Sequence, residues 1–133
     1  MATYHLQIVT PDRMVYDGMV ESLIVRAADG DVCILANHID YATPLGIGEA
    51  KVTDAEGKTR LAACNGGLLS VQDNRARLVA ITFEWQDEID LERARQAEAN
   101  AAEMLKDLER KDKDFAIAEA KLKRAITRIH VKG

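Results

Sequence analysis

The sequence predicts an α+β chain, mainly β: a strand-built unit of sandwich or barrel type over residues 1–85, then an antiparallel two-helix hairpin over residues 86–133. Three observations predict it. Turn punctuation arrives about every 8–12 residues up to Glu84, the spacing of an all-β domain. Seven of the eight glycines and both prolines lie before that point, while residues 87–133 keep only Gly133 and one aromatic, Phe115. Beyond it, apolar residues step by three and four, which is the helical period.

The strands follow in order. Tyr4, Leu6 and Ile8 alternate with His5 and Gln7, the period-two pattern of a half-buried strand. Val20 to Ala27 is β-rich and ends at a turn, Asp29-Gly30; Val32 to Leu35 is a short apolar run. Glu49 to Thr53 and Thr59 to Cys64 flank Asp54-Ala55-Glu56-Gly57, which reads as a hairpin turn. Leu68 to Val71 and Arg75 to Ile81 flank Asp73-Asn74, a second one. Gly66-Gly67, inside a strand pattern, marks a bulge or tight bend.

The helices come next. Asp87 and Asp90 are both candidate N-caps, with Glu92 in the first turn. Ala94, Ala97, Ala101, Met104 and Leu108 form one stripe; after a polar break, Glu109 to Asp114, Phe115, Ala118, Leu122, Ala125 and Ile129 form another. So short a break permits only a tight reversal, so the stripes face each other. Most facing positions are alanine. Alanine favours the helix but buries little apolar area, at about 25 cal/mol per Å². Each helix is therefore stable against coil yet weakly bound to its partner. A hairpin that opens with its helices intact and one that stays closed are both compatible with this pattern.

Composition narrows the function classes. The formal charge is −4 and the pI near 5.4, which provides no electrostatic drive toward nucleic acid or anionic lipid. No stretch approaches the roughly 18 apolar residues of a membrane span. Met1 to Tyr4 runs into strand-like sequence without a basic head and apolar run, so no export signal is expected. Cys33 and Cys64 read as small, semi-buried, reduced thiols of a cytosolic protein. A nucleophilic site would need Ser or Cys, His and a carboxylate together. Ser22 and Ser70 lie in strand patterns, and His5, His38 and His130 are scattered without metal-ligand spacing. No catalytic or metal-ligating set is expected. Gly46-Ile47-Gly48 lacks the helix and lysine of a phosphate loop.

One constellation remains. Between Lys121 and Gly133 there are five bases, Lys121, Lys123, Arg124, Arg128 and Lys132, and no acid. Arg124 and Arg128 are four apart and share a helical face. An antiparallel return carries that face toward Asp90 and Arg93. Three readings stay open: arginines that hold a phosphate beside a helix N-terminus, a basic face for an acidic partner, or cations placed favourably at a helix C-terminus.

These residues also carry a resemblance. Tyr4-His5-Leu6-Gln7-Ile8-Val9-Thr10-Pro11, the segment Gly30-Asp31-Val32-Cys33-Ile34-Leu35-Ala36-Asn37-His38, the Gly66-Gly67 strand and the two-helix tail together resemble the epsilon subunit of bacterial F-type ATP synthases, over essentially the whole chain. The resemblance implies a ten-stranded antiparallel β-sandwich followed by the hairpin. It implies a non-catalytic central-stalk subunit for ATP synthesis coupled to ion or proton transport, one that inhibits hydrolysis through its tail. Its partners would be the gamma subunit, the c-ring and the catalytic beta subunits. No nucleic acid is expected, and the chain would be peripheral at the cytoplasmic face of the cell membrane through the complex alone. Asp31 corresponds to the family's c-ring-facing edge, and His38 to Thr43, including Tyr41 and Ala42, to its gamma-facing side. Ile89-Asp90-Leu91-Glu92-Arg93-Ala94 is similar to the family's nucleotide motif. With Glu84, Arg124 and Arg128 it corresponds to the site where some members bind ATP, here MgATP as a regulatory ligand rather than a required cofactor. Asn100 departs from the pattern where a base would help phosphate, and Ala36-Asn37 and Asp40 depart where prolines and a glycine are common. A stand-alone nucleotide-binding module and a rigid assembly protein are the rival readings.

Overall fold

The computed structural model describes residues 2–109 and 112–133; Arg110 and Lys111 of the expected polar break lie outside the described residues. Six strands, β1 (Tyr4–Val9), β2 (Met14–Ala27), β3 (Gly30–Leu35), β4 (Tyr41–Asp54), β5 (Thr59–Gln72) and β6 (Arg75–Trp85), precede a 3-10 turn, Gln86–Glu88, and two helices, α1 (Leu91–Lys106) and α2 (Lys113–Lys132).

The expected ten strands are six. β2, β4 and β5 each run 14 residues and bend without breaking. The bends sit at irregularities of register, between Val20 and Ser22 and between Ile24 and Ala27 in β2. Within β5, Gly66 and Gly67 have φ of 63° and 122°. A Cβ on Gly67 would lie 1.9 Å from the Val79 carbonyl oxygen, so only glycine lets β5 and β6 approach there.

The sheet is also not wholly antiparallel. Its order is β1-β6-β5-β4-β2-β3, and β1 additionally pairs with β2, so five strands close into a ring with β3 attached to β2. An odd ring cannot alternate direction throughout. The exception is β1–β6, parallel from His5 opposite Arg75 to Val9 opposite Val79.

The turns read from sequence are present. Asp73 and Asn74 have φ of 52° and 59°, the left-handed pair of a type I′ hairpin. The Asp54 carboxylate accepts from the amides of Glu56 and Lys58, each at 2.9 Å, and holds the β4–β5 turn. Inside the ring, alternate residues such as Leu6, Ile8, Leu23, Ile34, Leu69 and Leu78 are fully buried. Tyr4 closes one end by donating to the Ile34 carbonyl at 2.8 Å, and its burial raises the phenol pKa.

Asp90 caps α1, accepting from the Arg93 amide at 3.1 Å; Asp87 instead lies in the 3-10 turn. In the stripes the small residues are the buried ones, Ala94 and Ala101 on α1, Ala118 and Ala125 on α2. Met104 is half exposed and Leu108 lies beyond the end of α1. α1 packs on α2, and α2 in turn packs on β4, β5 and the 3-10 turn. Val131 joins Ile89 and Ala63 in a small apolar cluster separate from the main core.

Candidate functional site

A cavity of about 720 Å³ lies where the strand-built unit, the linker and both helices meet. The β1–β2 loop supplies Thr10, Asp12 and Arg13; the end of β6 supplies Glu84; the linker supplies Glu88 and Asp90. Arg93 and Ala94 enter from α1 and Arg128 from α2. Residues 35 to 44 positions apart in sequence are thereby brought together, because α2 runs back antiparallel to α1.

The charges are arranged in pairs. Arg128 donates from Nε to Glu84. Arg13 donates from Nη2 to both oxygens of Glu88, at 3.1 and 3.0 Å, and Glu88 also accepts from the Trp85 amide at 3.0 Å. The Trp85 N–H first, with Arg13 behind it, holds the Glu88 carboxyl below its usual range against a small burial penalty. Asp12 is likewise lowered, chiefly by the Thr10 hydroxyl, which donates to it at 2.7 Å. Among the described residues the Arg93 guanidinium has no such partner, so this cation is free for an anionic group.

Of the other residues named from sequence, Ile89 does not face the cavity. It is 3% exposed and packs on Ala63 and Val131. Arg124 lines a neighbouring groove of about 340 Å³ with Ala97, Asn100, Ala101, Met104 and Lys121; Arg128 touches both spaces. The Asn100 side-chain oxygen accepts from Gln96 at 3.1 Å. Thr10, Asp12, Arg13 and Glu88 lay outside the expected set. They belong to the loop and linker, whose proximity to α2 depends on how the helices dock.

Asp31 sits on β3 and pairs with the Arg26 Nε at 2.7 Å. The two border a cavity of about 460 Å³ shared with Ile126, Thr127 and His130 of α2, so this edge adjoins the hairpin. His38 donates from Nδ1 to the Ile39 carbonyl at 2.8 Å, and its ring centre lies 5.7 Å from that of Tyr41. Thr43 donates to the Pro44 carbonyl at 3.2 Å, and Ala42 is exposed opposite Ser70. Beside them lies an apolar surface. Ile39 is 78% exposed, and Leu68 and Val79, paired across β5 and β6, are also exposed. Sequence reasoning missed this row; the signal was apolar residues on both faces of one strand, as in Val79-Ala80-Ile81.

Cys33 is exposed and Cys64 buried, both as free thiols. Among the described residues no His, Cys, Asp or Glu cluster fits a metal ion, and no helix is long and apolar enough to cross a membrane.

Comparison with known proteins gives a consistent result. Residues 3–86 match the family model of the β-sandwich domain of the ATP synthase delta/epsilon chain. Residues 87–133 match that of its long α-helix domain. The ATP synthase epsilon chain of Bacillus velezensis is 40% identical over all of this chain and 99% of its own length. That of Caldicellulosiruptor saccharolyticus is 37% identical over 98% of this chain and 94% of its own. Among solved structures, a chain of the Euglena gracilis mitochondrial ATP synthase (OSCP/F1/c-ring) shares the fold with a TM-score of 0.82 at 21% identity. The match spans 96% of this chain and 79% of that one. With both parts of the chain matched in order, and with bacterial relatives aligned nearly end to end, the chain belongs to the ATP synthase delta/epsilon family, as a bacterial epsilon chain.

Proposed function

We propose that this chain is a non-catalytic subunit of the central stalk. In this reading it transmits rotation between the c-ring and the catalytic head, in synthesis coupled to ion transport, and restrains ATP hydrolysis through the state of its hairpin. The strand-built unit contacts the gamma subunit through His38, Tyr41, Ala42 and Thr43 and the apolar row beside them. The edge at Asp31 meets the c-ring. The tail, when extended, reaches the catalytic beta subunits, and the chain sits at the cytoplasmic face of the membrane through the complex. The names of the relatives and the F1/c-ring and central-stalk assemblies that hold the structural neighbours support this placement.

The observation that carries the regulatory part is the cavity at the junction. Its volume falls within the range of about 300–1,000 Å³ of small-molecule sites, and its walls come from the strand-built unit, the linker and both helices. A ligand touching all of them binds the closed hairpin and not an open one, and so stabilises closure by RT ln(1 + [L]/Kd). The residues fit a nucleotide. Arg93 is uncommitted, Arg128 is adjacent, and both lie by the N-terminal end of α1, where anions are favoured. They would take the phosphates. Four carboxylates, Asp12, Glu84, Glu88 and Asp90, outnumber three arginines, Arg13, Arg93 and Arg128, in the lining. That balance favours the magnesium complex over the free tetra-anion.

Titration calorimetry with MgATP on the full chain tests the site. Saturable binding that weakens at least tenfold in Arg93→Ala supports it; no heat at millimolar MgATP overturns it. A second reading, a hairpin fixed shut, is favoured by the packing of α2 on β4 and β5. Under it, removing residues 87–133 would leave hydrolysis by the assembled enzyme unaltered.

A further inference from the structure

The alanine-lined contact between α1 and α2 does not by itself explain why the hairpin rests against the strand-built unit. α2 also packs on β4 and β5, but its hydrogen bonds to the linker come from one place, its last turn. A helix leaves its final carbonyls without intrahelical partners. Here the Val131 carbonyl accepts from Gln86 Nε2 at 2.8 Å. In return, Lys132 Nζ donates to the Gln86 carbonyl at 3.1 Å. One residue of the linker thus both caps the end of α2 and is held by it. Around this reciprocal pair, Arg128 hydrogen-bonds Glu84, and Val131, 1% exposed, inserts between Ile89 and Ala63. The linker is itself tied to the β1–β2 loop through Glu88 and Arg13.

We propose that Gln86 is the catch of the hairpin, a positioning residue that engages the last turn of α2 and so sets both the closed resting state and the place of Arg128 in the junction cavity. The same linker is the only covalent path between the strand-built unit and the helices. Opening the hairpin must therefore break contacts made by the segment about which it turns. Gln86 does not line the cavity; it acts through the axial position of α2. That consequence for ligand binding rests on the nucleotide reading above, whereas the latch itself does not.

Gln86→Leu keeps the side-chain bulk but removes the donor, and Lys132→Met removes the return bond. Hydrogen exchange on the full-length chain reads the outcome. In Gln86→Leu the amides of α2 are expected to exchange about fivefold faster, the effect of one lost net hydrogen bond, while those of β4, β5 and β6 are unchanged. Lys132→Met should show a smaller change of the same pattern. Unchanged exchange in α2 overturns the proposal. So does an equal acceleration through the strands, which would mean general destabilisation. MgATP titration of the same variant separates the two ideas. A several-fold weaker affinity with a wild-type melting temperature supports positioning of Arg128, and an unaltered affinity contradicts that positioning. If the wild-type chain binds no MgATP, the nucleotide reading fails and the exchange result alone decides the latch.

Discussion

At the residue scale, Glu88 accepts three hydrogen bonds at its carboxylate. Its carboxylate joins the Trp85 amide at the end of β6 to Arg13 of the β1–β2 loop. Its folded pKa is depressed, so the native chain binds this proton less readily than the unfolded chain. The contribution is full above the unfolded value of about 4.3 and is lost as pH falls through the folded one. Acidification into that window is expected to loosen the linker before the strands. Glu88→Gln is expected to abolish this component while costing below about 1 kcal/mol, because the pair is partly exposed. Exchange at the linker amides as a function of pH checks both. The two thiols give a second contrast. Burial pushes Cys64 up to about 12, while Cys33 is exposed. A thiol reagent at neutral pH should modify one cysteine per chain, and peptide mapping should find it at Cys33.

At the scale of elements, Gly67 bears the tightest constraint. Gly67→Ala places a Cβ against the Val79 carbonyl at a φ that alanine avoids, and should cost about 2–4 kcal/mol in a chemical denaturation experiment. This tight bend was legible because two consecutive glycines inside a strand pattern have few other uses. The hairpin turns at Gly57 and Asn74 and the cap at Asp90 were legible for the same reason: each depends on a few adjacent residues. Strand number was not. Whether Met14 to Met19 and Tyr41 to Gly48 continue into their neighbours depends on how a long strand bends, a property of the closed ring. The parallel pairing of β1 with β6 likewise follows from closure and from no local pattern. In the helices the three-four periodicity marked the right faces, but Val131, outside both stripes, is the buried residue that anchors α2.

At the scale of the whole molecule, the site is a junction. Asp90, Arg93 and Ala94 could be named from one short motif, and Arg128 from a shared helical face. Arg13 and Glu88 could not, because their place beside α2 exists only once three parts of the chain dock. Arg124, one turn before Arg128, faces the adjoining groove. The two arginines are therefore expected to separate in function. Arg128→Ala leaves Glu84 without its cation and should raise the exchange rate of α2 and weaken MgATP binding severalfold. Arg124→Ala should do less to the isolated chain, and more to hydrolysis by the assembled enzyme if this cation meets an acidic partner surface.

In the proposed function, the closed hairpin is held at the linker and reinforced by a ligand in the junction cavity. The most direct measurement is a MgATP titration of the full chain carrying one fluorophore on the strand-built unit and one on α2, away from the cavity. The expected result is a saturable decrease in the mean separation, or in its spread, that Arg93→Ala shifts to higher concentration. A separation that stays constant while MgATP saturates its site would contradict it.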